Sequence, residues 1–230
     1  MGWAALALAL VIALSWLLAP STSDIQARVD AAAARHHDPV LAPGEVPPVL
    51  AQAVVATEDE RFYQHHGIDV IGLARSLWFD VSHRCACQGG STITAQLGKD
   101  MYLGGSDRGL KKLEELVLAV KIETTISKQR ILADYLSEIP TGPGLYGVTA
   151  ASCAYYRRPL EGLTLPDYAL LAGLTQAPSA YDPLVDPSLA RERRAAVLAA
   201  MVSEDYITPA AAAAAARAPI VPPGGPGCQG

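Results

Sequence analysis

Aromatic residues are scarce: Phe, Trp and Tyr make up 6% of the chain, with only two phenylalanines in 230 residues. Each large ring therefore calls for a role, and much of the 50% apolar content is alanine, notably at both ends. Positive charge is not in excess. The 18 Lys and Arg face 23 Asp and Glu, and a net charge of −5 excludes the basic footprint of a general nucleic-acid binder. Cysteine is limited to Cys85, Cys87, Cys153 and Cys228. The Cys-Ala-Cys pair has no second close pair to complete a site with zinc spacing, so no metal ligands are assigned. Free thiols and disulfides of an oxidising compartment both stay open. A bond between Cys85 and Cys87 would be strained, so more distant partners are expected, with no fixed connectivity. Strand-rich stretches and internal repeats are missing, which leaves a mainly α body. The length suits one domain with terminal extensions, and about 170 residues bury enough surface to fold without staples.

Charge is missing altogether from residues 2–19, GWAALALALVIALSWLLA. At ~1.5 Å per residue this run spans about 27 Å, close to the ~30 Å hydrocarbon layer of a bilayer. Residues 1–20 are therefore expected to be a transmembrane anchor. A buried core helix would carry polar positions at helical spacing, and only Ser15 is polar. A cleaved signal peptide is the nearer rival, but no Lys or Arg precedes the run and no clean A-x-A site follows it. Arg28 and Arg35 lie after it, so the positive-inside rule lends no support to an exported body.

Residues 21–44 read as a linker, polar and then Pro-rich, entering a domain over 45–208. Residues 49–57 are helical. Residues 68–82 place apolar residues at 70, 73, 77 and 81 on one helix face, with Ile71, Trp78 and Phe79 off it. That helix is either buried on two sides or dips into lipid. A loop at 82–92 precedes helices over 107–125 and 128–138, and PTGPGLYG is a turn-rich connection. Further helices are expected over 148–156, 166–175 (opened by Thr164 or Pro166) and 188–204, the last capped by Ser188. Residues 209–230 give an Ala-rich helix and a loose tail.

Two segments carry the chemistry. TEDERFYQHHG, residues 57–67, has the pattern E-D-x-x-F-x-x-H-x-G at Glu58, Asp59, Phe62, His65 and Gly67. GGSTITAQLGK, residues 89–99, is a Gly turn feeding a helix N-terminus, where amides and hydroxyls meet anions and Lys99 adds a point charge. Taken singly, an acid pair is usually a solvated surface and a lone His is usually structural. KKLEELVLAVKIE, residues 111–123, then sets Glu115, Ala119 and Glu123 on one helical face, with Lys112 one turn before Glu115. KQRILADYLSEI, residues 128–139, and RRAAVLAAM, residues 193–201, follow in order, the second read as a structural helix.

In motif content, order and spacing, residues 45–208 resemble the peptidoglycan glycosyltransferase family, found as monofunctional enzymes and as one domain of class A penicillin-binding proteins. The resemblance implies a mainly α, lysozyme-like glycosyltransferase domain behind an N-terminal transmembrane helix. It also implies a monofunctional, divergent member, with no room for a transpeptidase domain. Glu58 and Glu115 would be the catalytic carboxylates. Asp59, Ser91, Thr92, Thr94, Gln96, Lys99, Arg108, Lys111 and Lys112 would contact substrate, with a divalent cation as an optional helper. The reaction implied is polymerisation of lipid II on a growing lipid-linked glycan strand, at the outer face of the cytoplasmic membrane, alongside other cell-wall synthesis proteins and without nucleic acid.

The chain departs from the family pattern at Ala95 for Gln, Asp100 for Asn, Lys111 for Arg, Ala133 for Glu and Ser137 for Asn. Asp107 fills the slot of an upstream Arg, with Arg108 one residue late. Asp100 is expected to weaken an anion site, and the changes at 133 and 137 to thin a hydrogen-bond network. Two rival readings follow: a catalytically degenerate lipid II binder, and a lysozyme-like enzyme that cleaves glycan. Lys99 and the hydroxyl-rich second motif argue against cleavage, which has no pyrophosphate to hold.

Overall fold

The computed structural model describes residues 2–83, 90–105, 111–220 and 228, the side chains at 2, 4, 5, 7–9 and 12 excepted. In chain order the helices are α1 (Gly2–Leu18), α2 (Ile25–His36), α3 (Pro48–Glu58), α4 (Val70–His83), α5 (Ile93–Tyr102), α6 (Lys111–Thr125), α7 (Lys128–Glu138), α8 (Gly147–Ala151), α9 (Leu165–Leu174), α10 (Pro187–Ser203) and α11 (Pro209–Ala216). Among the described residues the strands are β1 (Pro140–Gly142) and β2 (Leu145–Tyr146), an antiparallel pair inside the expected turn region. The mainly helical body matches the sequence reading. The chain divides into two compact units, Met1–Arg28 with Arg61–Ile131 and Val29–Glu60 with Leu132–Gly230.

In the first unit, Gly98 lets α5 and α6 approach closely. A Cβ there would stand 3.2 Å from Ile122 Cδ1 and 3.4 Å from Leu118 Cβ. Gly67 is a second point of close approach. Its φ of +91° suits glycine alone, and a Cβ would lie 2.6 Å from the Ala119 carbonyl carbon. Helix α1 ends where Pro20 removes a backbone donor and disfavours helix at Ala19. Lys121 of α6 secures that end, donating from Nζ to the Ala19 and Pro20 carbonyls at 2.7 and 3.3 Å, 5.3 Å above the Trp16 ring. At 17 residues α1 does not bear out a spanning segment: among the described residues no helix is long and apolar enough to cross a membrane. Helix α4 buries none of its residues. Val70, Ile71, Leu73, Leu77, Trp78 and Val81 are all exposed, so the reading of a helix buried on two sides is corrected.

In the second unit, α9 is buried along nearly its whole length and packs against α3 and α10. A helix apolar on every side belongs in a core. Its start is fixed by Asp167, whose Oδ2 accepts from the Thr164 amide at 3.0 Å and the Thr164 hydroxyl at 2.7 Å. The cap of α10 is Asp186, not Ser188: Asp186 Oδ1 accepts from the Ser188 and Leu189 amides at 3.0 Å, and Pro187 opens the helix. Residues 21–44, expected as a linker, contain α2, whose Val29, Ala32 and Ala33 in this unit are buried. Arg194 of α10 is 1% exposed and donates to the Ala216, Ala218 and Pro219 carbonyls at 2.6–3.0 Å. Of the cysteine alternatives, a disulfide joins Cys153 to Cys228. Cys85 and Cys87 lie outside the described residues.

Candidate active site

The first unit gathers the second and third motifs. Thr92 caps α5, accepting from the Ala95 amide at 3.1 Å and donating to the Gly67 carbonyl at 2.7 Å. The Gly67 turn is thereby tied to the helix start. From α6, Glu115 is 1% exposed, and its Oε1 accepts from Lys112 Nζ at 2.8 Å and from Ser91 Oγ at 3.2 Å. Lys112 also donates to Ser91 Oγ at 2.6 Å. Glu115 Oε2 is buried without a hydrogen-bond partner. A buried carboxylate oxygen without a donor is costly. Two turns further along α6, Glu123 Oε1 accepts from Thr94 Oγ1 at 2.7 Å and from Lys128 Nζ at 2.6 Å, and Lys128 lies 4.3 Å over the buried Phe62 ring.

Several expected substrate contacts also bond within the protein. Thr92 and Thr94 are buried, and their hydroxyls bond inside the protein. Lys111 Nζ reaches the Leu103 carbonyl at 3.4 Å. Gln96 and Lys99 are half-buried on α5, Lys99 beside Asp100. Burial pushes the Asp100 carboxyl up from its ordinary value, Lys99 opposes the shift and Glu115 adds to it. Arg108, Asp107 and Gly89 lie outside the described residues.

The second unit holds Glu58 and Asp59. Glu58 is the last residue of α3, and its Oε1 accepts from Thr175 Oγ1 at 2.8 Å and stands 3.9 Å from Arg193 Nη2. The Glu58 and Arg193 side chains are only 12% and 13% exposed. Asp59 is buried at the C-cap of α3, with its amide on the Val55 carbonyl at 3.1 Å. Sequence reading missed Thr175 altogether and took Arg193 for part of a structural helix. Nothing local marks either residue, because the partner is over 100 positions away. Ser137 Oγ accepts from the Leu41 amide at 2.9 Å and donates to the Ala133 carbonyl at 2.8 Å, while Ala133 is core. Among the described residues no group of three or more His, Cys, Asp or Glu can hold a metal ion.

Residues 25–202 match the model of the transglycosylase family. The chain belongs to the transglycosylase family. It is 46% identical over 177 residues to penicillin-binding protein 1A of Haemophilus influenzae, covering 77% of this chain and 21% of that protein. It is 42% identical over 178 residues to penicillin-binding protein 1A of Vibrio cholerae, covering 77% and 22%. A crystal structure of the Haemophilus influenzae protein superposes on 42% of this chain and 14% of its own, with 43% identity and a TM-score of 0.40. The chain thus spans about a fifth of the length of these curated relatives. The transglycosylase match takes in α2, part of the segment read as a linker, together with every motif that carries the two carboxylate sites.

Proposed function

We propose that this chain is an inverting peptidoglycan glycosyltransferase that polymerises lipid II into β-1,4-linked glycan strands. Glu58 carries the reading: it stands in a complete E-D-x-x-F-x-x-H-x-G motif within the transglycosylase match, held at Oε1 by a hydroxyl and faced by a guanidinium. Glu58 takes the proton of the acceptor GlcNAc 4-hydroxyl. That oxygen bonds to the donor MurNAc C1 as the bond from C1 to undecaprenyl pyrophosphate breaks, inverting α to β. The proton then passes from Glu58 to solvent. The leaving group carries the developing negative charge, and Lys99, Lys112, Lys111 and Arg108 are the cations assigned to it, with Ser91, Gln96 and the first amides of α5. Glu115, oriented through Oε1 by Lys112 and Ser91, positions the donor or assists departure. Thr92 and Thr94 serve by holding α5 in place, and Asp59 by ending α3.

The lysozyme-like architecture belongs to this proposal, as does the location. The uncharged α1 and the exposed apolar side chains of α4 fit contact with the membrane that holds lipid-linked substrates, with catalysis on its outer face beside other cell-wall synthesis proteins. A degenerate lipid II binder is the second reading, favoured by Asp100, a carboxylate within electrostatic reach of Glu115. Lipid II polymerisation by the detergent-solubilised full chain separates the two. Glycan strands from the wild type and none from a folded Glu58→Gln variant are expected. Strands from Glu58→Gln would remove Glu58 as the base, and a folded wild type that binds lipid II without turnover would favour the binder.

A further inference from the structure

A base that cycles between carboxylate and carboxylic acid needs an environment that suits both forms. We propose that Thr175 and Arg193 are positioning residues for Glu58, Thr175 by bonding to both of its protonation states and Arg193 by fixing where Oε1 lies. The inference rests on the reading of Glu58 as general base.

Thr175 caps the C-terminus of α9, and its Oγ1 lies 2.8 Å from Glu58 Oε1 and 2.8 Å from the Ala172 carbonyl oxygen. A hydroxyl has one proton and two lone pairs, so it can donate to only one of these acceptors at a time. With Glu58 ionised, the Thr175 proton goes to Oε1 as a charge-assisted bond. The proton taken from the acceptor goes to the other carboxyl oxygen, and Oε1, now the carbonyl oxygen of the acid, still accepts from Thr175 Oγ1. The bond is weaker to the neutral acid, and the Ala172 carbonyl takes the hydroxyl proton whenever Oε1 does not. Thr175 thus serves both states, and the carboxyl stays in place through the proton transfer. No other residue type of this size does this. Valine keeps the shape and loses both bonds, whereas serine keeps the hydroxyl.

Arg193 approaches the same oxygen from α10 and is itself held at several points. Its Nε donates to the Gly173 carbonyl at 3.0 Å, and its guanidinium lies 5.7 Å from the Tyr181 ring centroid. Residue 173 must be glycine for this path, since a Cβ there would stand 2.8 Å from Arg193 Cγ. With Nε spent on α9, Nη2 is directed at Glu58 from a fixed distance of 3.9 Å, longer than a hydrogen bond. The guanidinium thus faces the carboxylate as a charge rather than as a hydrogen-bond donor. Adjacent Arg194 binds the carbonyls at and beyond the end of α11, so the two arginines of the RRAAVLAAM segment divide their roles.

The test is steady-state lipid II polymerisation by the full chain carrying Thr175→Val, Thr175→Ser, Arg193→Met or Arg193→Lys, with melting temperature recorded for each. Thr175→Val and Arg193→Met are expected to lower kcat about tenfold or more while KM for lipid II stays within about twofold. Serine at 175 restores most of kcat. Lysine at 193 restores part, because it keeps the charge but not the forked reach. Loss confined to kcat at an unchanged melting temperature supports positioning. A Thr175→Val kcat equal to wild type, or Thr175→Ser as impaired as Thr175→Val, overturns the role of Thr175. A rise in KM with kcat intact for Arg193→Met overturns that of Arg193. A folded wild type that makes no glycan overturns the reading of Glu58 as a base, and this inference with it.

Discussion

At Asp100 a carboxylate stands where the family resemblance expects an amide. Its burial holds the carboxyl above its ordinary value of 3.8, so the folded chain binds that proton more tightly than the unfolded chain does. Stability from this group is therefore lost as pH rises from the ordinary value through the raised one, and the full penalty is present at neutral pH. Asp100→Asn removes the penalty. Thermal melts are expected to show the variant a few degrees more stable than wild type at pH 7 and equal to it below the ordinary carboxylate range. A variant no more stable at pH 7 would mean that the charge is well solvated. The sequence marked Asp100 as a departure, but the cost depends on burial and on Glu115, which reaches it from another helix.

Among the elements, α5 is tied at its start by one residue. Thr92 satisfies an orphan amide at the helix start and ties that start to the Gly67 turn. Thr92→Ala removes both bonds, and a loss of about 1–2 kcal/mol is expected, read by urea unfolding. A loss well below that would place the control of α5 in its packing on α6. The helix itself was legible in the Gly turn and the hydroxyls after it, because capping is a local signal. The inward use of Thr92 and Thr94 was not, because an isolated sequence cannot distinguish a hydroxyl that caps or braces from one that binds ligand. Helix α4 gives the converse case. Its spacing predicted a helix correctly, but periodicity does not say whether an apolar face meets protein, and here none of the helix is buried.

For the whole molecule, the Cys153–Cys228 bond closes a separation of 75 residues. On the chain-entropy account such a loop is worth at most about 4.5 kcal/mol, and less where the tail is otherwise held. Arg194 already binds the Ala216, Ala218 and Pro219 carbonyls, so the cost of Cys228→Ser is expected to be about half that ceiling, or about 2 kcal/mol, with α10 and α11 still formed. The melting temperature and circular dichroism of the variant check this. Loss of helical signal would show that the disulfide, not Arg194, holds the C-terminal segment.

Local pattern was enough to determine the helical class, most helix positions and the family, because periodicity, capping chemistry and motif spacing are written along the chain. Tertiary structure decided which of those residues meet. It placed Thr175 and Arg193 against Glu58 across more than 100 positions, paired Glu115 with Ser91 as well as Lys112, chose Cys228 for Cys153, and left α4 exposed. Such contacts form when helices pack, and the packed partner of a side chain is set by the whole fold rather than by its neighbours in sequence.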